Sequence, residues 1–179
     1  MRLFIAINFP AEIKAAIAKI RNNIKNSALR GNFSFEENLH LTLVFLGECD
    51  YRQTEALKTV LNETVFSEFA LTLDKIGCFK REGGDTWWIG LKKNQPLTDL
   101  QANLSHRLRQ KGFTLEDRKY SPHITFGRQV KMRTGFVQPE IRQISCIVTG
   151  IELMKSERIN SKLVYTQVFS KNANNQGEH

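Results

Sequence analysis

The chain encodes an α+β protein of two lobes, and three observations predict it. Apolar alternation of strand type is interleaved with three stretches of helical period rather than with the regular strand-helix repeat of a parallel sheet. A His-x-Thr step inside an apolar run occurs twice, at Leu39-His40-Leu41-Thr42-Leu43-Val44-Phe45-Leu46-Gly47 and at Ser121-Pro122-His123-Ile124-Thr125-Phe126-Gly127-Arg128. The order of elements leading into each step is similar, as a diverged internal duplication would leave it. No Pro/Gly/Ser-rich linker divides the chain, so residues 1–170 are expected to form one bilobal domain, with a polar, disordered tail at 171–179.

Taken in order, Arg2 to Asn8 is rich in Phe and Ile and reads as a buried first strand. Pro10 suits the first turn of a helix, and Ile13, Ile17, Ile20 and Ile24 recur at helical spacing, predicting an amphipathic helix over 10–29. A connection with a short strand at Asn32 to Phe35 leads to the first His-x-Thr strand. Asp50 followed by Gln53 forms a capping-box signal, and Ala56, Leu57, Val60, Leu61 and Val65 predict a helix over 51–65. Residues 69–76 and 86–91 read as strands joined by a turn at Arg81-Glu82-Gly83-Gly84-Asp85. Pro96 opens a third helix with the stripe Leu97, Leu100, Leu104 and Leu108, ended by Gly112. After the second His-x-Thr strand come a loop at 135–140, a strand-like stretch at 144–154 and a last strand at 162–169.

Composition narrows the function classes. No apolar run is long enough for a membrane span, and the first seven residues are too short for a secretory signal, so no membrane role is expected. Cys49, Cys78 and Cys146 are odd in number and in no CxxC pair, which suits a reducing, cytoplasmic setting and argues against structural zinc. Lys plus Arg exceed Asp plus Glu by 26 − 18 = 8, and Arg118, Lys119, Arg128, Lys131 and Arg133 flank His123 with no acidic residue among positions 118–133. An anionic partner follows.

Four histidines are present. His179 lies in the tail, and His106 falls off the apolar stripe of its helix and is expected in solvent. His40 and His123 remain, each two residues before a threonine. Along a strand, residues i and i+2 share a face about 6–7 Å apart. Each motif therefore sets an imidazole, able to exchange protons near neutral pH, beside a hydroxyl able to donate to an oxyanion: Thr42 in one, Thr125 in the other. A third metal ligand at sensible spacing is missing, as are a Gly-x-Ser-x-Gly elbow and a phosphate-loop Gly-Lys-Ser/Thr. Arg128, five residues after His123, would point away from it under strict alternation. It joins the site only if the strand bends at Gly127.

With these residues in place, the chain resembles the two-histidine phosphoesterases, and specifically the 2′-5′ RNA ligase / RNA 2′,3′-cyclic phosphodiesterase family. The likeness runs from Arg2-Leu3-Phe4-Ile5-Ala6-Ile7 with Pro10, through Asn38 to Gly47, to Pro122-His123-Ile124-Thr125 with Arg128 and the Tyr165 strand. It implies two pseudo-symmetric antiparallel sheets flanking a central cleft, with helices outside. It implies a site without metal or other cofactor, acting on RNA with 2′,3′-cyclic phosphate ends, tRNA fragments among the candidates, in a monomeric cytoplasmic enzyme. In that family's chemistry His123 activates water, His40 protonates the departing 3′ oxygen to leave a 2′-phosphate, and Thr42, Thr125 and Arg128 bind the phosphate oxygens. The reverse reaction, 2′-5′ ligation, and a non-catalytic RNA-binding module are the alternatives. Tyr120 or Phe9 is the expected stacking partner of a base. The segment from Ser156 to Tyr165 lacks the glycine usual in the family, which bears on the shape of that loop.

Overall fold

The structure is a computed structural model and describes residues 1–174. Nine strands and three helices follow one another as β1 (Arg2–Asn8), α1 (Ala11–Asn26), β2 (Ala28–Phe33), β3 (His40–Glu48), α2 (Tyr51–Glu63), β4 (Phe69–Phe79), β5 (Asp85–Leu91), α3 (Gln95–Gln110), β6 (His123–Met132), β7 (Ile144–Val148), β8 (Gly150–Ile159) and β9 (Lys162–Asn172). A single 3₁₀ turn, Glu36–Asn38, precedes β3. The strands form two antiparallel sheets, one ordered β3-β1-β8-β9 and the other β2-β6-β5-β4-β7.

Local signals account for the elements. Asp50 caps α2 with a complete box, its carboxylate accepting from Gln53 N while the Gln53 side chain accepts from Asp50 N. Asn94 caps α3, with Pro96 in the first turn. Helix stripes led by Ile13 and Ile17, by Leu57 and Leu61, and by Leu104 and Leu108 bury against the sheets, meeting Leu3, Ile5, Ile7, Leu41, Ile89 and Ile124 from the strands. Strand alternation puts Phe4 and Ala6 on the other face of β1, where Met154 and Tyr165 join them. That small cluster floors one side of the cleft.

Several boundaries differ from the sequence reading. The first helix stops at Asn26, because Ala28–Phe33 is drawn into β2 beside β6. The stretch 144–154 is two strands, β7 on the far edge of one sheet and β8 inside the other, with Thr149 as the crossing point. Strand β9 runs on through Lys171 and Asn172, and Asn174 bridges to Ser67, so the expected disorder does not begin at 171. Its remainder, 175–179, lies outside the described residues. Each sheet borrows from the other half of the chain: β2 completes the sheet of β6, and β8 and β9 complete the sheet of β3. The two lobes are thereby tied together around the two His-x-Thr strands.

Candidate active site

Strand β3 begins at His40 and β6 at His123, and both imidazoles are fixed in the same way. His40 Nδ1 lies 2.7 Å from the carbonyl of Asn38, and His123 Nδ1 lies 2.7 Å from the carbonyl of Ser121. A carbonyl can only accept, so Nδ1 carries the hydrogen in each ring and Nε2 holds the free lone pair. The carbonyl is two residues upstream in both motifs, a pseudo-twofold repeat of the orienting contact. Asn38 is itself buried and held by its amide donating to Leu163 O at 2.8 Å. Rings confine the imidazoles: His40 meets Phe4 at 4.8 Å and the edge of Tyr165 at 5.1 Å, and His123 meets Phe79 at 5.2 Å and Trp88 at 6.1 Å.

The threonines sit where alternation predicts. Thr42 Oγ1 is 3.0 Å from His40 Nε2, and since that nitrogen has no hydrogen the hydroxyl donates. Thr125 is two residues from His123 on the same strand face and stands opposite Trp88 on β5. Thr42 and His123 line one cavity of about 320 Å³ between β3, the end of β4 and the segment before β6. The two halves therefore meet in a single cleft, with His40 one hydrogen bond behind Thr42.

Arg128 comes to the side of the imidazoles because β6 is bulged. Trp88 pairs with Thr125 and Trp87 with Gly127, so β6 advances two residues while β5 advances one. Phe126 and Gly127 are both buried and Arg128 emerges on the face of His123. Gly127 fits because a Cβ there would come within 3.0 Å of Val130 and 3.3 Å of Phe33. The guanidinium is near enough to act on both imidazoles.

Electrostatics leave both rings neutral at rest. Burial lowers the His40 pKa from its ordinary 6.5 to about 4, outweighing the Asn38 carbonyl, with the Lys14 and Arg128 cations adding to the fall. His123 is lowered too, first by burial and then by Arg128 and Arg118, against the Ser121 carbonyl. Burial also raises the Tyr120 and Tyr165 phenols, so both stay protonated donors.

Of the two aromatics expected to stack, Phe9 does not qualify: it is 6% exposed and belongs to the core. Tyr120 lines the cavity, with its hydroxyl donating to Thr42 O at 3.0 Å. Phe45 and Phe79 line it as well, and sequence reasoning passed over both. A signal existed for Phe45. It follows His40 by five residues, as Arg128 follows His123, and β3 is bulged like β6, with Leu43 and Val44 both buried and Phe45 turned out. His106 is exposed, and the three cysteines are free thiols. Among the described residues no three His, Cys, Asp or Glu side chains are grouped to hold a metal ion.

Known proteins resemble this chain in sequence and in fold. The sequence profile of the 2′-5′ RNA ligase superfamily matches residues 9–160. This chain belongs to that superfamily. A curated relative from Archaeoglobus fulgidus, named RNA 2′,3′-cyclic phosphodiesterase, is 32% identical over 166 residues, covering 92% of each chain. The protein of that name from Thermotoga maritima is 35% identical over 131 residues, 72% of this chain and 70% of its own. The crystal structure of Escherichia coli LigT with 3′-AMP superposes with a TM-score of 0.86 at 30% identity, covering 97% of this chain and 98% of that one. The fold is thus the two-histidine phosphoesterase fold of the superfamily.

Proposed function

We propose that the chain hydrolyses RNA 2′,3′-cyclic phosphate ends to 2′-phosphates by acid-base catalysis between His40 and His123, without a metal ion. The carrying observation is the matched pair of imidazoles, each with Nδ1–H tied to a carbonyl and Nε2 directed to chemistry. Neutral His123 has the lone pair needed to take a proton from water as it attacks phosphorus in line. His40 protonates the leaving 3′ oxygen. Its Nε2 must first gain a proton, and the cyclic phosphate anion supplies the field that raises its pKa as it binds. Thr42 then turns its hydroxyl from Nε2 to a phosphate oxygen, Thr125 does the same from the other strand, and Arg128 balances the growing charge.

Phe45, Phe79 and Tyr120 line the cavity together with Arg81, Arg118 and Lys119, and their rings offer stacking surfaces for the terminal base; LigT has been crystallised with 3′-AMP in a fold that superposes on this one. Three free cysteines suit a reducing cytoplasm, and one chain supplies both motifs, so the site is complete without a partner chain and the enzyme is read as a monomer. No helix among the described residues is long and apolar enough to cross a membrane.

The test is an RNA oligomer ending in a 2′,3′-cyclic phosphate, incubated in EDTA with wild type, His40→Ala and His123→Ala. A 2′-phosphate product from wild type, with each variant down by roughly 10²–10⁴, is the expected result. Loss of activity in EDTA would refute metal independence. RNA binding of equal strength in all three proteins without hydrolysis would make this a binding module. Joining of the cyclic end to a 5′-hydroxyl strand would reveal the ligase direction, which uses the same two imidazoles.

A further inference from the structure

The pseudo-twofold site is chemically lopsided. Position five after His40 is Phe45, which lines the cavity, and position five after His123 is Arg128, which is exposed beyond that lining. From Arg128 a basic stripe continues along the β2–β6 pair. Asn32 stands opposite Arg128 and Arg30 opposite Lys131, so the four side chains share one face. Val130, next to Lys131, is 1% exposed and points into the core, which fixes Lys131 on the open face. Arg30 extends across β6 to the β4–β5 turn, where its Nη2 donates to Gly83 O at 3.0 Å. Arg30, Arg128 and Lys131 are all exposed. Of the two carboxylates at that turn, Asp85 is engaged by Lys80 at 2.7 Å and Glu82 is exposed to solvent.

We propose that Arg128, Lys131 and Arg30 form a track for the phosphates of single-stranded RNA running 5′ from the reacting nucleotide. Two residues along β2 span about 6.6 Å, a step comparable to that between successive backbone phosphates. The cavity lined by Phe45, Phe79 and Tyr120 takes the terminal base, the histidines take the cyclic phosphate, and the stripe takes the preceding strand. This inference rests on the RNA-end reading of the site and adds the path of the strand. It makes the enzyme selective for oligonucleotide ends over free cyclic mononucleotides, through Arg30 and Lys131, neither of which touches the reacting atoms.

The experiment compares wild type with Arg30→Gln/Lys131→Gln on a 2′,3′-cyclic mononucleotide and on a single-stranded RNA of about six nucleotides with the same cyclic end. The variant should lose about tenfold in kcat/KM on the oligomer and nothing beyond twofold on the mononucleotide, which also reports an intact fold. The log–log salt slope of oligomer binding should become shallower by about 1.4, at roughly 0.7 per phosphate contact on a single strand. Arg30→Lys/Lys131→Arg should restore both. An unchanged oligomer rate, or an equal loss on both substrates, overturns the track. If wild type hydrolyses neither substrate, the proposed reaction fails and fluorescence anisotropy with a 2′-phosphate-ended oligomer decides the track alone: weaker binding by the variant upholds it, equal binding overturns it.

Discussion

Burial of His40 as a neutral ring makes the protein's stability depend on pH in a way that isolates this one side chain. The pKa is 6.5 in the unfolded chain and about 4 in the folded one. A folded pKa below the unfolded one means that the unfolded chain takes up the proton first, so stability falls as pH drops below 6.5 and levels out below about 4. Between about pH 7.5 and about pH 4.5 the proton-binding ratio of the two states changes by a factor near 70, or about 2.5 kcal/mol. His123 is lowered as well and adds in the same direction.

Urea unfolding of wild type and His40→Gln at the two pH values measures the effect. The wild type should lose about 2.5 kcal/mol more than the variant over that interval, whatever the variant costs at neutral pH. Inorganic phosphate in the cleft should reverse the trend, because an anion about 4 Å away contributes on the order of 4 kcal/mol toward the imidazolium at an effective dielectric of 20, roughly 3 pKa units. Histidine resonances followed by NMR supply the direct reading. If His40 titrates near 6.5 without phosphate, or does not move upward with it, the account of a neutral acid recharged by its own substrate is wrong.

Three substitutions test other parts of the structure. Gly77 lies under Trp88, and a Cβ there would sit 2.3 Å from the indole, so Gly77→Ala should cost about 1–3 kcal/mol in thermal unfolding and lower kcat by displacing the ring beside His123. Tyr120→Phe removes the bond to Thr42 O and should cost about 1 kcal/mol, read in the same assay. Asn160 and Ser161, at the β8–β9 turn, have φ of 48° and 66°, and Ser161→Gly creates the Asn-Gly pair such a turn favours; a rise of about 0.5–1 kcal/mol in urea unfolding is expected.

Much of this site is legible in the amino-acid sequence. His-x-Thr is a local pattern, and the period of a strand alone puts His40 beside Thr42 and His123 beside Thr125. Arg128 is legible only conditionally, because a bulge depends on how β6 registers against β5, a long-range property. The same reason hides the start of β2, whose end is expected as a short strand at Asn32 to Phe35: Ala28-Leu29-Arg30 continues a helical pattern, and only the open edge of β6 makes it a strand. A break at Thr149 likewise depends on two sheets each offering an open edge, and Gly150 is its one local marker. Phe9 shows the converse failure, since an aromatic beside a strand end looks available until α1 packs over it. Contacts made by main-chain carbonyls, as at Asn38 and Ser121, carry no side-chain signature at all.

The likeness of the two His-x-Thr motifs accounts for the shared orientation of their imidazoles, and the differing surroundings set the two rings apart. Both imidazoles inherit the same carbonyl contact and therefore the same tautomer. His40 is enclosed by Phe4 and Tyr165 with Lys14 nearby, and its pKa falls furthest. Thr42 holds its Nε2, whereas Nε2 of His123 takes no hydrogen bond from the described residues. The open lone pair belongs to His123, the base of the proposed mechanism, and the masked one to His40, its proposed acid. In the proposed mechanism an anion in the cleft draws Thr42 away and protonates His40, which ties acid catalysis to occupancy by phosphate.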